Sequence, residues 1–380
     1  MEAWQAMERR KFLKGAATAT WAGTIGVATA RAGKPQGPSA NASAQPGASG
    51  KLPRATTAGT LRGEMLYRKL GNTGVEVSAI GLGGWHIGSK PLSDGEAVRL
   101  IHQALERGMN FLDNSWDYHD GRSEQLVGKA LSQGGYRQKA FVMTKLDART
   151  KDLARKQIDE SLSRLKVDRI DLLQHHEIIQ FDAPDRIFAE GGAMEAVLEA
   201  KKAGKVRFIG FTGHKDPHIH LYMLDVAARH GYHFDAAQLP LNLMDAHFRS
   251  FARLVVPRLV QEGVAVLGMK SLCGGDGILL KPGVVSASEC IQYALNLPTA
   301  TVICGIDRQE ILEQAFTIAK SFKLMSEAQV EALLKKTQAL AMDGQYELFK
   351  TTAHFDATAR HADWLGDDPP SAKKLAPAAG

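Results

Sequence analysis

The chain has 380 residues, 44% of them hydrophobic and 23% charged, a composition that excludes a disordered, fibrous or collagen-like protein. Its formal net charge is +6, but the first 34 residues hold six basic and two acidic side chains, and without them the net charge is +2. That balance makes no electrostatic case for nucleic acid or for an acidic membrane surface. Three cysteines (Cys273, Cys290, Cys304) are too few for a disulfide framework, lack metal-type spacing, and read as small buried hydrophobes.

In chain order, residues 1–32 read as an address. Arg9 and Arg10 are followed by Lys11, Phe12, Leu13 and Lys14, then by a weakly apolar Ala/Gly stretch, with A-x-A cleavage options at Ala28/Ala30 and Ala30/Ala32. The segment resembles a bacterial twin-arginine signal, with Glu8 where that signal usually has Ser or Thr. The resemblance implies the twin-arginine export machinery as a partner, a periplasmic location and no stable membrane span in the mature form. The alternative is a basic helix retained in the cytoplasm or left as an uncleaved anchor. Residues 33–63, rich in Gly, Pro, Ser and Ala, read as a flexible linker, so the folded domain is expected to begin near Glu64.

From 64 to 345 the pattern is a hairpin around Gly71-Asn72-Thr73-Gly74, then eight strand-then-helix units. The expected strands are 79–82, 110–113, 140–145, 170–175, 207–212, 236–238, 265–270 and 301–304. Between them apolar residues recur at helical spacing, as in Ala97, Ile101, Ala104 and Leu105, and again in Leu153, Ile158, Leu162 and Leu165. Eight such units predict an α/β fold, a (β/α)8 TIM barrel with an N-terminal β-hairpin and, over 346–380, a C-terminal helical tail. A doubly wound open sheet is the rival, but Gly81–Gly88 does not match a GxGxxG turn.

A barrel of this kind carries its chemistry at the C-terminal ends of its strands. Asp113, Tyr118, Lys145 and His176 all fall there. A phenol beside an ammonium that a carboxylate holds in place makes a proton-transfer device, with the ammonium expected to lower the phenol pKa. His175 and His176 point to opposite sides of their strand, and periodicity leaves open which faces the pocket. Three further histidines (His214, His218, His220) show no four-ligand spacing, so no metal is expected.

The stretches Leu66–Trp85, Phe111–Leu131, Val142–Lys145, Arg169–His176 and Lys205–His214 resemble the aldo-keto reductase family. The resemblance implies a reversible, NAD(P)(H)-dependent reduction of an aldehyde, ketone or sugar carbonyl. In it Tyr118 is general acid/base, Lys145 its tuner, Asp113 the anchor, and His176, rather than His175, the carbonyl orienter. It places NADP(H) or NAD(H) on Gly84, Trp85, Thr212, Gly213, Gln238, Met269, Lys270, Ser271, Gly305 and Arg308, and export of a folded protein implies that this cofactor travels tightly bound. Met269 stands where many members stack a tyrosine on the nicotinamide. Trp85, His86 and Trp116 are the expected substrate-pocket residues. Two other readings remain: a redox sensor or low-turnover binding protein on the same barrel, and an aldolase-like barrel using Lys145 as a Schiff base. Asp113 argues against the last, because a Schiff-base lysine must lose its charge.

Overall fold

The computed structural model describes residues 51–274 and 277–366. The signal segment, most of the linker and the last fourteen residues lie outside the described residues. Strands β1 (Thr60–Arg62), β2 (Met65–Lys69) and β3 (Glu76–Ser78) form an antiparallel sheet in that order. The expected hairpin is thus β2–β3, with a third strand added from a segment read as linker. The linker reading also fails just upstream. Ala55 N donates to Asn296 O (2.8 Å), Arg54 bonds the Met325 carbonyl, and Leu52 and Ala58 pack on the core. Few apolar residues suffice here because carbonyls at a helix end (Asn296) and in a loop between helices (Met325) accept hydrogen bonds from the segment.

Eight parallel strands close the barrel: β4 (Ile80–Gly83), β5 (Phe111–Asp113), β6 (Phe141–Leu146), β7 (Ile170–His175), β8 (Val206–Thr212), β9 (Ala236–Pro240), β10 (Ala265–Met269) and β11 (Thr301–Gly305). Each pairs with the next in sequence, and β11 returns to β4. The strands lie within two residues of their expected places. They are legible because a strand buried on both faces reads as a continuous apolar run.

Period-two alternation decides what enters the barrel. At the N-terminal end Phe111, Phe141, Leu172, Ala236, Ala265 and Leu267 fill the interior, with Leu70 and Val77 of the hairpin region plugging it and Phe111 and Phe141 stacked at 5.2 Å. Two residues further along the same inward face come Asp113 and Gln238, and beyond Met143 and Leu172 come Lys145 and Gln174. The interior turns polar toward the C-terminal mouth for that reason.

Helices cover the outside, and two of them touch through a glycine. A Cβ on Gly128, in helix Arg122–Leu131, would overlap the carbonyl oxygen of Arg164, in helix Lys151–Leu165. Gly128→Ala is expected to cost about 1–3 kcal/mol by overpacking. A denaturant midpoint equal to that of the parent chain would contradict this close approach.

The C-terminal segment is a strap of short helices (Leu348–Thr351, Ala357–Arg360, Ala362–Trp364) over the loops at the mouth. Phe349 is fully buried, and Lys350 reaches Asp245 (2.8 Å), Glu347 (2.9 Å) and the Phe248 carbonyl (2.8 Å). The three cysteines are buried and unpaired. Among the described residues no helix is long and apolar enough to cross a membrane.

Candidate active site

Asp113 ends β5, Lys145 stands one residue before the end of β6, and Tyr118 is carried by the loop after β5. Lys145 Nζ donates to Asp113 Oδ1 (2.7 Å), to the Asn114 carbonyl (2.6 Å) and to Tyr118 Oη (3.2 Å). The ammonium is 1% exposed and the carboxylate 4%, so each needs the other to remain charged. The loop holds its shape through the residues that follow the tyrosine. Ser123 Oγ donates to the Gly84 carbonyl (2.7 Å), and buried Glu124 accepts from Thr144 Oγ1 (2.6 Å) on β6.

The electrostatics of Tyr118 differ from expectation. Burial, followed by the charges of Asp113, Asp117, Glu177 and Asp147, pushes the phenol well above its ordinary value. The Lys145 ammonium, its charge matched by Asp113 at 2.7 Å, does not outweigh them. Tyr118 therefore rests as a protonated donor.

His176 lies one residue past β7 on the inward face, its ring centroid 5.9 Å from that of Tyr118. Its Nδ1 is 2.9 Å from Asp147 Oδ1, 3.4 Å from Asp117 Oδ1 and 3.2 Å from Ser115 Oγ. Burial opposes charge on the ring, but the two carboxylates outweigh it and raise His176 to about 10. Asp147 is pushed up to about 6 by burial and by Asp117, whereas His176 overcomes burial to hold Asp117 below the usual carboxylate range. His175 faces outward against Phe234, and burial holds it neutral, near 3.

The expected cofactor residues divide into two groups. Thr212 ends β8 and Gly213 follows it, and a Cβ on Gly213 would overlap the Ile178 carbonyl. Met269 ends β10. Lys270 follows in a left-handed conformation (φ 54°), its ammonium 5.6 Å from the Phe349 ring and 5.2 Å from the Phe355 ring. Lys270 makes no ion pair among the described residues, and burial brings it down to about 8; buried Ser271 is next to it. Gly84 is walled by the Asp113 carbonyl and Ser123.

The others are engaged elsewhere. Gln238 donates to Asp113 Oδ2 and accepts from Gln174 Nε2 (3.0 Å), so its amide is committed to the polar layer. Gly305 lies beneath the His86 ring, and Arg308 pairs with Asp307 (2.9 Å). Trp85 meets Tyr118 edge-on at 5.3 Å and is 49% exposed at the rim. Trp116 turns away from the pocket: its indole N–H donates to Glu160 (2.6 Å), and its ring meets Trp364 of the strap.

A nicotinamide cofactor fits the residues present. Asn114 Nδ2, a donor, and Gln174 Oε1, an acceptor, are buried without partners, the complement of a carboxamide. The unpaired Lys270 ammonium suits a pyrophosphate.

Sequence reasoning missed Asp117 and Asp147, and considered Glu177 only as a metal ligand beside His175 and His176. Glu177 accepts from Thr358 N and Oγ1 (both 2.8 Å), tying the strap to the mouth, and its Oε1 lies 3.8 Å from His214 Nε2. His214, His218 and His220 do not converge. His214 lies against the Phe349 carbonyl (3.1 Å), His218 against Asp216 and His220 against the Gln238 carbonyl.

A closed parallel barrel with an Asp–Lys–Tyr line and a histidine at its mouth defines a reductase-type scaffold. The chain belongs to the aldo/keto reductase family, whose family model matches residues 79–282, more than half of the chain. It is similar to L-galactose dehydrogenase of Arabidopsis thaliana, 37% identical over 155 residues, 38% of this chain and 48% of that protein. It is also similar to 6-dehydroglucose reductase of Novosphingobium aromaticivorans, 36% identical over 161 residues, 38% of this chain and 51% of the relative. The chain thus spans about half the length of these curated relatives. In fold it resembles the holo form of an aldo-keto reductase from Bacillus halodurans, with a TM-score of 0.59, 22% identity, and coverage of 74% of this chain and 99% of that one.

Proposed function

We propose that the chain is an NAD(P)(H)-dependent oxidoreductase that reversibly reduces a carbonyl group to an alcohol. The observation that carries this reading is Lys145, bonded at once to Asp113 and to Tyr118 at the barrel mouth. When bound, the nicotinamide supplies the hydride. Tyr118, kept protonated by burial, donates to the oxygen of the developing alkoxide, a stronger base than phenolate. Lys145, already at 3.2 Å, stabilises the phenolate left behind, and Asp113 keeps Lys145 charged. His176 turns Nδ1 to Asp147, which leaves the Nε2 edge to hydrogen-bond the carbonyl oxygen.

A sugar-type carbonyl is favoured by the names of the two relatives and by Trp85, a flat apolar ring at the rim against which the C–H face of a sugar can lie. The twin-arginine-like leader supports periplasmic export with the cofactor, NAD(H) or NADP(H), already held. Lys270 and the partnerless Asn114 and Gln174 atoms are its expected contacts. Purified chain, denatured and chromatographed, is expected to release about one equivalent of nicotinamide nucleotide. A nucleotide-free preparation that works only on addition would contradict tight retention. A second reading, a cofactor-holding sensor of low turnover, draws on the strap over the mouth, and turnover assays across aldehydes and sugars separate the two.

A further inference from the structure

Four side chains from three successive strand ends meet behind the His176 ring. Ser115 and Asp117 come from the loop after β5, Asp147 from the end of β6, and His176 from the end of β7. Asp147 is 0% exposed, the Asp117 side chain 5% and the His176 side chain 9%. Donor atoms of Asp117, Asp147 and His176 all lie within 4.8 Å of one another. A proton on Nδ1 satisfies one carboxylate oxygen, Asp147 Oδ1. It leaves Asp117 Oδ1, which is 3.4 Å away, and Asp147 Oδ2 buried without a hydrogen-bond partner. A buried carboxylate oxygen with no donor is costly.

We propose that Asp117, Asp147 and His176, with the Ser115 hydroxyl beside them, bind one first-row divalent cation, Zn²⁺ or Mn²⁺.

The spacing suits such an ion. Ligands about 2.1 Å from a common centre lie about 3.0 Å apart at right angles and about 3.4 Å apart at the tetrahedral angle. The separations from Nδ1 are 2.9 Å to Asp147, 3.4 Å to Asp117 and 3.2 Å to Ser115. Once the Nδ1 proton is displaced, two carboxylates around a neutral imidazole carry two negative charges, which a divalent ion cancels. The donor set narrows the choice of metal. Without thiolate it does not suit a soft ion, and Ca²⁺ requires more oxygens than this site holds. The cation would take the place of the Nδ1 proton and reach the oxygens that proton leaves unpaired. It would tie together the loops after β5, β6 and β7 and fix the ring with its N–H on Nε2. Linear spacing hides the group, since Asp117, Asp147 and His176 lie about thirty residues apart, one on each strand–helix unit.

The inference stands on geometry and does not depend on the reaction proposed above, so its test is read without turnover. Full-length protein purified without chelator is expected to hold about one equivalent of metal by elemental analysis. After chelation, ZnCl₂ or MnCl₂ is expected to bind with one-to-one stoichiometry in calorimetry and to raise the melting temperature by roughly 5 °C. Asp117→Asn, isosteric with the native side chain, is expected to weaken binding about tenfold or more, and Asp117→Asn/Asp147→Asn to abolish it. Circular dichroism checks that the variants are folded, and if the double variant does not fold, Asp117→Asn alone decides. Trace metal content with no thermal shift from either salt would overturn the proposal. So would equal affinity in Asp117→Asn, which would place the ion elsewhere.

Discussion

Tyr118→Phe is expected to lower turnover by about 10²–10⁴-fold while leaving nucleotide binding within a factor of about two. The substitution removes one oxygen and keeps the ring that Trp85 meets at 5.3 Å and over which Lys145 sits at 4.6 Å. The pocket therefore keeps its shape and loses only the proton donor. Lys145 would still be charged, because its bonds to Asp113 and to the Asn114 carbonyl do not involve the phenol. A loss in kcat with little change in KM is the signature of a group acting in the transition state. If single-turnover reduction in the variant ran within threefold of the parent rate, the proton would have to come from another group, Lys145 or His176.

Lys350→Met is expected to destabilise the protein by about 3–5 kcal/mol. Lys350, Asp245 and Glu347 have side chains that are 0% exposed. The one ammonium serves both carboxylates and the Phe248 carbonyl. Methionine fills similar volume, so the cost falls on the two carboxylates left in a dry interior, not on a cavity. Burial, moderated by Lys350, already pushes the Glu347 carboxyl up to about 7. Because Lys350 joins the strap to the loop after β9, limited proteolysis is expected to release the segment from about residue 344 before the barrel unfolds. An unchanged denaturation midpoint together with unchanged protease resistance would show that the triad does not hold the strap.

These two residues differ in how visible they are in the sequence. Tyr118 stands five residues after Asp113, at the end of an apolar run, with Gly121, Ser123 and Glu124 behind it. The structure uses all of these locally: Gly121 takes a left-handed conformation (φ 83°), Ser123 bonds Gly84 and Glu124 bonds Thr144. Lys350 has no such frame. In a polar stretch near the C-terminus it reads as one more solvated lysine, and only its placement against Asp245, 105 residues away, gives it a role. Gly305 and Arg308 show another contrast between sequence and structure. A glycine and an arginine before a helix suggest phosphate, yet the His86 ring covers the first and Asp307 pairs with the second.

By itself the sequence determined the eight strand–helix units, their order, and the strand-end positions of Asp113, Tyr118 and Lys145, because hydrophobic periodicity and strand ends are local properties of the chain; between His175 and His176 it was the family resemblance that chose. The tertiary structure alone decided that Tyr118 is raised, not lowered, that the strap lies across the mouth, and that Ser115, Asp117 and Asp147 gather at His176. Those outcomes depend on burial and on charges brought together from distant segments. Electrostatic energy follows distance in space and exclusion of water, and neither can be counted along the chain.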